Sequence, residues 1–203
     1  MRLPMNTSLA TLKPSGIRRI NALAAQHPGC IALALGEPDF PTPDVISAEV
    51  TAALDRGDTH YPPNNGRPAL REALSAYMGD AGLTFSADEV ILTDGATEAL
   101  SATFMAMLNP GDEVLVPAPY WLSYPDMVML TGAEPVPVLA GPEQGFKVTP
   151  AMLEAHTTDK TKLLILNSPS NPTGAVYTEA EFTAIMDWAI ARGLFVLSDE
   201  IYD

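Results

Sequence analysis

Two segments of this chain place polar residues directly after apolar runs, an arrangement that can bind a small ligand. The first reads LLILNSPSNPTGAVY over residues 163–177, and the second reads LFVLSDEIYD over residues 194–203. Each apolar run has the composition of a buried parallel strand. Because ligands bind at the carboxyl ends of the strands in open α/β sheets, we expect the polar residues of both segments to contribute to one site.

Asp199 is the residue of these segments with the clearest chemical consequence. It follows apolar and small residues, and a carboxylate in such a position costs free energy unless a cation or a proton donor pairs with it. One interpretation is an acidic loop made of Asp199, Glu200 and Tyr202. The other is a ligand with a protonated ring nitrogen, such as pyridoxal phosphate, in which an aspartate keeps the nitrogen protonated so that the ring can act as an electron sink.

The residues before these segments alternate between helical and strand patterns. Apolar spacing predicts helices in PDVISAEVTAALDRG, RPALREALSAYMG and TEALSATFMAML, while EVILTD and EVLVP are typical of strands. Strand and helix alternate at least from Val90 to Ser198, so we predict an α/β fold with a mostly parallel sheet and helices on both faces. Residues 1–42, rich in proline and glycine, should form an N-terminal arm, and residues 43–203 the large domain.

Two capping-box patterns predict where helices begin. Ser86 and Glu89 have the required spacing, but a strand-like segment follows so closely that we expect only a single turn of helix there. Thr178 and Glu181 repeat the spacing at the start of EAEFTAIMDWAIAR, which Gly193 should end. That helix connects the two segments that carry polar strand ends.

Composition narrows the classes of function. With 11 basic and 25 acidic residues the net charge is -14, which argues against binding nucleic acid or anionic membranes. No apolar stretch approaches the roughly 18 residues of a membrane span and the start lacks an apolar signal core, so we expect a cytoplasmic location. The one cysteine, Cys30, excludes an internal disulfide. His27, His60 and His156 lie too far apart to indicate a metal site, and we predict none.

The motifs NSPSNPTG, SDEIYD, VILTDGATEAL, APYWLSYP and LGEPDFPTP together resemble the fold-type-I aminotransferases of class I/II, in particular the branch with bacterial aspartate and broad-specificity aminotransferases. The resemblance covers residues 33–203. It implies a large domain that binds pyridoxal 5'-phosphate, a homodimer, and transfer of an amino group from an aspartate, aromatic or neutral L-amino acid to a 2-oxo acid. It also implies that residues 1–42 include a segment of the small domain.

The resemblance assigns cofactor contacts to three residues of the two segments. Asp199 matches the aspartate that pairs with the pyridine nitrogen, and Tyr202 matches the tyrosine that hydrogen-bonds the O3′ of the ring. Asn171 matches the asparagine that donates to the same O3′ and lies near the substrate carboxylate. On its own, Asn171 would be a turn residue before Pro172. The family often has a cis peptide between these two residues.

Phosphate and ring contacts are implied at two further places. Gly95, Ala96 and Thr97 open a helix whose amide hydrogens and positive dipole end suit the cofactor phosphate, although an ordinary strand–helix turn has the same pattern. Trp121 matches the aromatic residue that stacks on the pyridine ring beside the substrate, and its alternative is a buried core aromatic.

Gly36 and Tyr61 are implied to act outside these segments. Gly36 matches the glycine whose backbone approaches the substrate carboxylate, and its alternative is a simple turn before Pro38. Tyr61 resembles the tyrosine that crosses to the neighbouring subunit and contacts the cofactor phosphate there. The resemblance therefore implies an obligate dimer with shared sites.

The lysine that holds the cofactor as a Schiff base has no counterpart in this sequence. The family places it a few tens of residues beyond the aspartate, whereas the lysines present are Lys13, Lys147, Lys160 and Lys162. Lys160 and Lys162 precede the strand LLILN, at the wrong end for the site. We therefore expect an N-terminal portion of an aminotransferase, with the large domain truncated at its C-terminal side, that is inactive alone.

Two alternatives remain open. A parent of the same fold could run another reaction, such as an elimination (a lyase) or a decarboxylation, because cofactor contacts do not determine which bond breaks. The second alternative is a non-catalytic aminotransferase-like domain that senses a ligand. Regulators of that kind have a basic DNA-binding region upstream, which residues 1–42 do not resemble.

Overall fold

The computed structural model describes residues 9, 12, 16–31 and 33–202. These residues form two compact units. One consists of the described residues from 16 to 94, and the other consists of residues 95–202 with positions 9 and 12. The domain boundary that the sequence places after residue 42 stays a prediction.

Three helices supply most of the regular structure of the unit formed by residues 16–94. They are α1 (Gly16–Ala24), α2 (Asp44–Asp55) and α3 (Pro68–Asp80). The sequence predicts α2 and α3, which the structure confirms. It does not predict α1, although Ile17, Ile20 and Ala24 have helical spacing, because the proline and glycine content of residues 1–42 indicates an arm.

The prediction of a strand at EVILTD is wrong. A single turn of 3-10 helix covers Ala87–Glu89, as the capping box indicates, and no strand follows it. Leu92 instead donates its backbone N–H to the Asn65 carbonyl at 3.2 Å. Gly66 permits this close contact, since a Cβ there would lie 2.4 Å from Leu92 Cδ1. A segment with strand composition forms a strand only where a neighbouring strand can pair with it. The composition of the segment does not reveal whether such a neighbour is present.

The second unit alternates helices and strands, as predicted. Its elements are α4 (Ala96–Met107), β1 (Glu113–Ala118), α5 (Ser123–Leu130), β2 (Glu134–Leu139), α6 (Pro150–Glu154), β3 (Thr161–Asn167), α7 (Glu179–Arg192) and β4 (Phe195–Asp199). The strands form one four-stranded sheet in the order β2-β1-β3-β4. Every neighbouring pair is parallel, which confirms the α/β fold with a parallel sheet.

Alternate side chains of β1 and β3 face opposite layers of helices. One face packs against α4 and α5 through Leu100, Phe104, Val114, Val116, Tyr124, Val128, Leu163 and Ile165. The other packs against α6 and α7 through Leu115, Leu153, Leu164, Leu166 and Ile185. Each such side chain contributes on the order of 1.5–3 kcal/mol when fully buried, so the central strands carry the core of this unit. Helices on both faces of the sheet are thereby confirmed.

The sequence does not predict β2, because this strand contains two prolines. Glu134 donates to the Asp112 carbonyl at 2.8 Å and Ala140 donates to the Ala118 carbonyl at 2.9 Å, so the even-numbered amides face β1. Pro135 and Pro137 alternate with these residues, so the two positions that lack an N–H face away from β1. Because β2 is an edge strand, this side has no neighbour to satisfy.

The strand order creates a crevice between β1 and β3. After β1 the chain continues to β2 on one side, then crosses to β3 on the other side and goes on to β4 in that direction. Such a reversal of strand order is where ligands bind in open α/β sheets, outside the carboxyl ends of the strands. The fold therefore places the residues that follow β1, β3 and β4 around one opening.

Both predicted ends of α7 are present. The Thr178 side chain accepts the N–H of Glu181 at 3.3 Å, and Glu181 Oε2 accepts the N–H of Thr178 at 2.8 Å, which completes the capping box. Gly193 ends the helix with a φ of 67°, a conformation that glycine adopts without a side-chain clash. These caps fix both ends of α7, the helix that connects β3 to β4.

Replacing Thr178 with alanine should lower the free energy of unfolding by about 1 kcal/mol, because the first turn of α7 loses its side-chain acceptor. Urea unfolding followed by circular dichroism measures this. Thr51→Ala is the matched control, since the Thr51 hydroxyl donates to the Ser47 carbonyl one turn earlier within α2 and caps no helix end. Equal losses in the two variants would contradict a specific capping effect.

The stability of the unit that contains residues 95–202 should fall in acid partly because Glu181 becomes protonated. Its hydrogen bond with Lys147, followed by that with the Thr178 N–H, lowers the pKa of Glu181 to about 2. Because an unfolded glutamate has a pKa of about 4.3, the ionised form stabilises the fold above that pH, and this contribution is lost as the pH falls toward 2. Glu181→Gln should therefore flatten the decrease of Tm between about pH 4.5 and 2. A slope equal to that of the wild type would contradict this assignment.

Candidate active site at the strand ends

The carboxyl ends of β1, β3 and β4 and the amino end of α4 surround an open pocket of about 270 Å³. Its lining consists of Ala96, Thr97, Leu100, Trp121, Tyr124, Asn167, Asn171, Asp199, Ile201 and Tyr202. The pocket adjoins the reversal of strand order, the position that the topology favours for a ligand. Polar residues from both segments that open the sequence analysis meet here.

Asp199 is the last residue of β4 and is held by hydrogen bonds on both carboxylate oxygens. Oδ2 accepts the Tyr124 hydroxyl at 2.5 Å, and Oδ1 accepts the backbone N–H of Ile201 at 3.3 Å. Two donors on a half-buried carboxylate offset part of the cost of removing it from water. The carboxylate therefore has a fixed orientation at the edge of the pocket and keeps acceptor capacity for a further donor.

Tyr124 provides the link between Asp199 and the aromatic wall of the pocket. The side chain is 2% exposed, and burial, followed by the hydrogen bond and negative charge of Asp199, raises the pKa of the Tyr124 phenol well above its ordinary value. The phenol therefore stays protonated and remains a donor. Its ring meets Trp121 edge to face, with centroids 5.4 Å apart and planes at 84°. This contact fixes the tilt of the Trp121 ring.

Asn167 joins the ends of β3 and β4 beneath the pocket. Its Nδ2 donates to the Asp199 carbonyl at 2.8 Å, while its Oδ1 accepts the backbone N–H of Asn171 at 2.7 Å. The Asn171–Pro172 peptide is cis, in agreement with the expectation from the resemblance. The loop returns through a hydrogen bond from the Ser170 N–H to the Ala175 carbonyl at 3.0 Å. Asn171 is thus held at the rim of the pocket.

The amino end of α4 forms another side of the pocket. Gly95 precedes the helix with a φ of 87°, a conformation that residues with a Cβ rarely adopt. Ala96 and Thr97 line the pocket and are exposed. The first N–H groups of a helix have no partner within it and carry the positive end of its dipole, so this side favours an anion. Glu98, the next residue, does not line the pocket.

Of the residues that the sequence assigns to the site, Ala96, Thr97, Trp121, Asn171, Asp199 and Tyr202 line this pocket, with Gly95 directly before Ala96. Gly36 and Tyr61 belong to the other compact unit. Gly36 is exposed with open space where a Cβ would be, and the Tyr61 side chain is fully exposed. Their roles stay predictions.

The lysines that the structure describes lie away from the pocket. Lys147 pairs with Glu181 at 2.6 Å. Lys162, the second residue of β3, pairs with Asp112 at 3.1 Å. The Lys160 carbonyl accepts the N–H of Glu113 at the amino end of β1. Lys13 falls outside the described residues. Within residues 9, 12, 16–31 and 33–202, no lysine lines the pocket.

Sequence reasoning missed Tyr124 and Asn167. Both were detectable in principle, because Tyr124 follows Trp121 by three residues at the start of a helix and Asn167 is the polar residue that ends the apolar run LLIL. Neither matches a ligand contact by type alone. Their importance comes from hydrogen bonds to residues far along the chain, Asp199 and Asn171, which no local pattern specifies.

This arrangement suits a flat, anionic, nitrogen-containing ring. Asp199 can accept from a ring N–H, Trp121 offers an aromatic surface, and the start of α4 favours a phosphate. Among the residues that the structure describes, no group of His, Cys, Asp and Glu side chains could hold a metal ion. Nor does any helix in those ranges have the length and apolar content to cross a membrane.

Known proteins match this chain over most of its length. The family model described as "Aminotransferase class I and II" matches residues 28–203. The aspartate/prephenate aminotransferase of Cereibacter sphaeroides is 44% identical over 205 residues, which cover 98% of this chain and 51% of the relative. A probable aspartate aminotransferase of Streptomyces griseus is 43% identical over 185 residues, with 90% and 86% covered.

Solved structures give the same result. The aspartate aminotransferase of Thermus thermophilus, determined with maleate, superposes with a TM-score of 0.93 at 40% identity, covering 100% of this chain and 54% of that chain. This chain therefore spans about half the length of the Cereibacter and Thermus proteins. The match over residues 28–203, together with these identities, shows that the chain belongs to the class I and II aminotransferase family.

Proposed function

We propose that the protein containing this chain is an aminotransferase that uses pyridoxal 5'-phosphate to move an amino group from an L-amino acid to a 2-oxo acid. The observation that carries the proposal is the convergence of Asp199, Asn171, Tyr202, Trp121 and the start of α4 on one pocket. These residues come from four separate parts of the chain. Such a convergence is expected for a cofactor site, whereas a packed core does not require it.

The side chains present fit this cofactor. A protonated pyridine nitrogen requires a carboxylate, and Asp199 is held by two donors that leave acceptor capacity. A phosphate dianion requires N–H donors, which the first turn of α4 offers beside Ala96 and Thr97. The side-chain amide of Asn171 makes no hydrogen bond within the described part of the chain, so it can donate to the O3′ of the ring, as can the Tyr202 hydroxyl.

When bound, pyridoxal phosphate supplies an electron sink for bonds broken at the substrate Cα. The residues of this chain orient that sink and set its charge. Asp199 would hold a proton on the ring nitrogen, and the Tyr124 hydroxyl fixes one oxygen of the Asp199 carboxylate. Trp121 covers a face of the ring and excludes water from it. Asn171 and Tyr202 donate to O3′, which stabilises negative charge on that oxygen.

The substrates that we propose are aspartate, aromatic or neutral amino acids with a 2-oxo acid as acceptor. The relatives from Cereibacter sphaeroides and Thermus thermophilus are named as aspartate/prephenate and aspartate aminotransferases, which favours an acidic donor. A homodimer in which Tyr61 reaches the partner's cofactor phosphate, a substrate contact at Gly36, and a cytoplasmic location are parts of the same proposal. The full exposure of the Tyr61 side chain is compatible with an intermolecular role.

The Schiff-base lysine, in this proposal, comes from residues beyond this chain. The described lysines are engaged at the amino ends of the strands or with Glu181, so none reaches the pocket. The chain alone would then hold the cofactor without a side chain to move the proton between the substrate Cα and the cofactor. Cofactor contacts and proton transfer are thereby assigned to different parts of the protein.

The proposal is tested by assaying the complete coding sequence with pyridoxal phosphate against a panel of amino acids and 2-oxo acids. We expect stoichiometric exchange of an amino group, and borohydride reduction should link the cofactor to one specific lysine. The 203-residue chain alone should show neither turnover nor a specific linkage. Release of CO2 or ammonia in place of exchange would show that another reaction of the fold is the true one.

Removing the Asp199 charge should reduce kcat/KM of the complete enzyme by roughly 10²–10³-fold, because Asp199→Asn cannot stabilise a protonated ring nitrogen. Tyr124→Phe should reduce it by about tenfold, since it removes one hydrogen bond to that carboxylate. Ser198→Ala is the control within β4, because the exposed Ser198 hydroxyl donates to Glu200 and Ser198 does not line the pocket. Loss of activity in the control equal to that in Asp199→Asn would contradict the assigned role.

A further inference from the structure

Asn167 occupies the point where β3 and β4 end side by side. It is paired in register with Asp199, and both residues are half-buried. Its side chain lines the main pocket and also a smaller cavity bordered by Pro117, Phe146 and Tyr177, as the side chains of Tyr124 and Asn171 do.

Both polar atoms of the Asn167 amide are used within the protein. Nδ2 donates to the Asp199 carbonyl and Oδ1 accepts the Asn171 N–H, at 2.8 and 2.7 Å. The partners are backbone groups of two residues that line the pocket, Asp199 and Asn171. The amide therefore fixes the separation between two short stretches of main chain.

Few other groups could perform this task in the loop after β3. Pro169 and Pro172 have no N–H, so the chain cannot continue the ladder with β4 through them. The hydrogen bonds of Ser170 and Gly174 stay within the loop, since they join Ser170 to Ala175 and Gly174 to Ser170. Asn167 supplies the connection between this loop and β4.

We propose that Asn167 is a positioning residue that sets the distance between the Asp199 carboxylate and the Asn171 amide, and so matches the two to the nitrogen and the O3′ of one pyridine ring. The inference rests on the proposed function, because it takes Asp199 and Asn171 as the groups that hold the ring. Asn167 acts through the main chain of both residues. Its substitution should therefore change cofactor affinity beyond any loss of stability.

The donor and acceptor must lie on one short planar group, which asparagine provides at any pH. An ionised carboxylate in its place could still accept from Asn171 but would face the Asp199 carbonyl with a second acceptor. A protonated carboxyl would restore the donor. Asn167→Asp therefore offers a variant of equal size that regains the donor when its carboxyl is protonated. The titratable neighbours are Asp199, Tyr124 and Tyr202 around the pocket and Tyr177 in the smaller cavity.

The experiment measures the affinity of the complete apoprotein for pyridoxamine 5'-phosphate, whose amine forms no linkage to lysine, so that the noncovalent contacts alone decide binding. Quenching of tryptophan fluorescence reports occupancy, with Trp121 in the pocket. Wild type, Asn167→Ala, Asn167→Asp and the cap variant Thr178→Ala are compared at pH 8 and pH 5.5. Thr178→Ala controls for lost stability, because it is exposed and does not line the pocket.

We expect Asn167→Ala to bind about tenfold more weakly than wild type at both pH values, the effect of one or two lost hydrogen bonds. Asn167→Asp should be at least as weak at pH 8 and should recover by about threefold or more, relative to wild type, at pH 5.5. The recovery follows from protonation of the introduced carboxyl, whose pKa the neighbouring negative charge of Asp199 raises. Thr178→Ala should bind as wild type does.

Wild-type affinity in both Asn167 variants would overturn the positioning role while leaving the proposed function intact. So would equal weakening in Asn167→Ala and Asn167→Asp with no recovery in acid, since that result indicates only altered packing. Equal weakening in Thr178→Ala would assign the effect to stability and would overturn the inference as well. Failure of the wild type to bind pyridoxamine phosphate would overturn both this inference and the cofactor assignment.

Discussion

The structure of the site depends on one constraint, which is that the half-buried carboxylate at the end of β4 must be hydrogen-bonded. Asp199 meets it with the Tyr124 hydroxyl and the Ile201 N–H. Removing a half-buried carboxylate from water costs free energy, and these donors offset part of that cost. The same contacts aim the carboxylate, and orientation and stability therefore have one origin.

Topology decides where this charge lies. The chain turns in opposite directions after β1 and after β3, and the crevice between the two strands collects α5, the loop after β3 and the end of β4. Tyr124 reaches Asp199 although 75 residues separate them in sequence. Tyr124 lies on α5, which follows β1, and Asp199 ends β4, so the geometry of the pocket depends on how both elements pack on the sheet. Loss of packing between α5 and the sheet would displace Tyr124 and release Asp199.

The sequence predicts most of the second unit because its signals are local. Capping residues fix α7, and unbroken apolar runs mark β1, β3 and β4. The failures are also physical. β2 carries prolines that an edge strand tolerates, and the segment after Glu89 has strand composition but bonds to Asn65. Asp199 and Asn171 were predicted from motifs, whereas Tyr124 and Asn167 act through pairings across the fold that a local pattern does not contain.

The contacts around the pocket also explain why its polar residues resist replacement in a way that core residues do not. A buried leucine contributes through area, and a similar hydrophobe can replace it at modest cost. Tyr124 and Asn167 instead satisfy a charge and two backbone groups that remain when the side chain is removed. A substitution there leaves an unpaired partner, which costs more than the bond itself contributed. The requirement for hydrogen-bond partners thus preserves the geometry of the pocket even in the absence of a ligand.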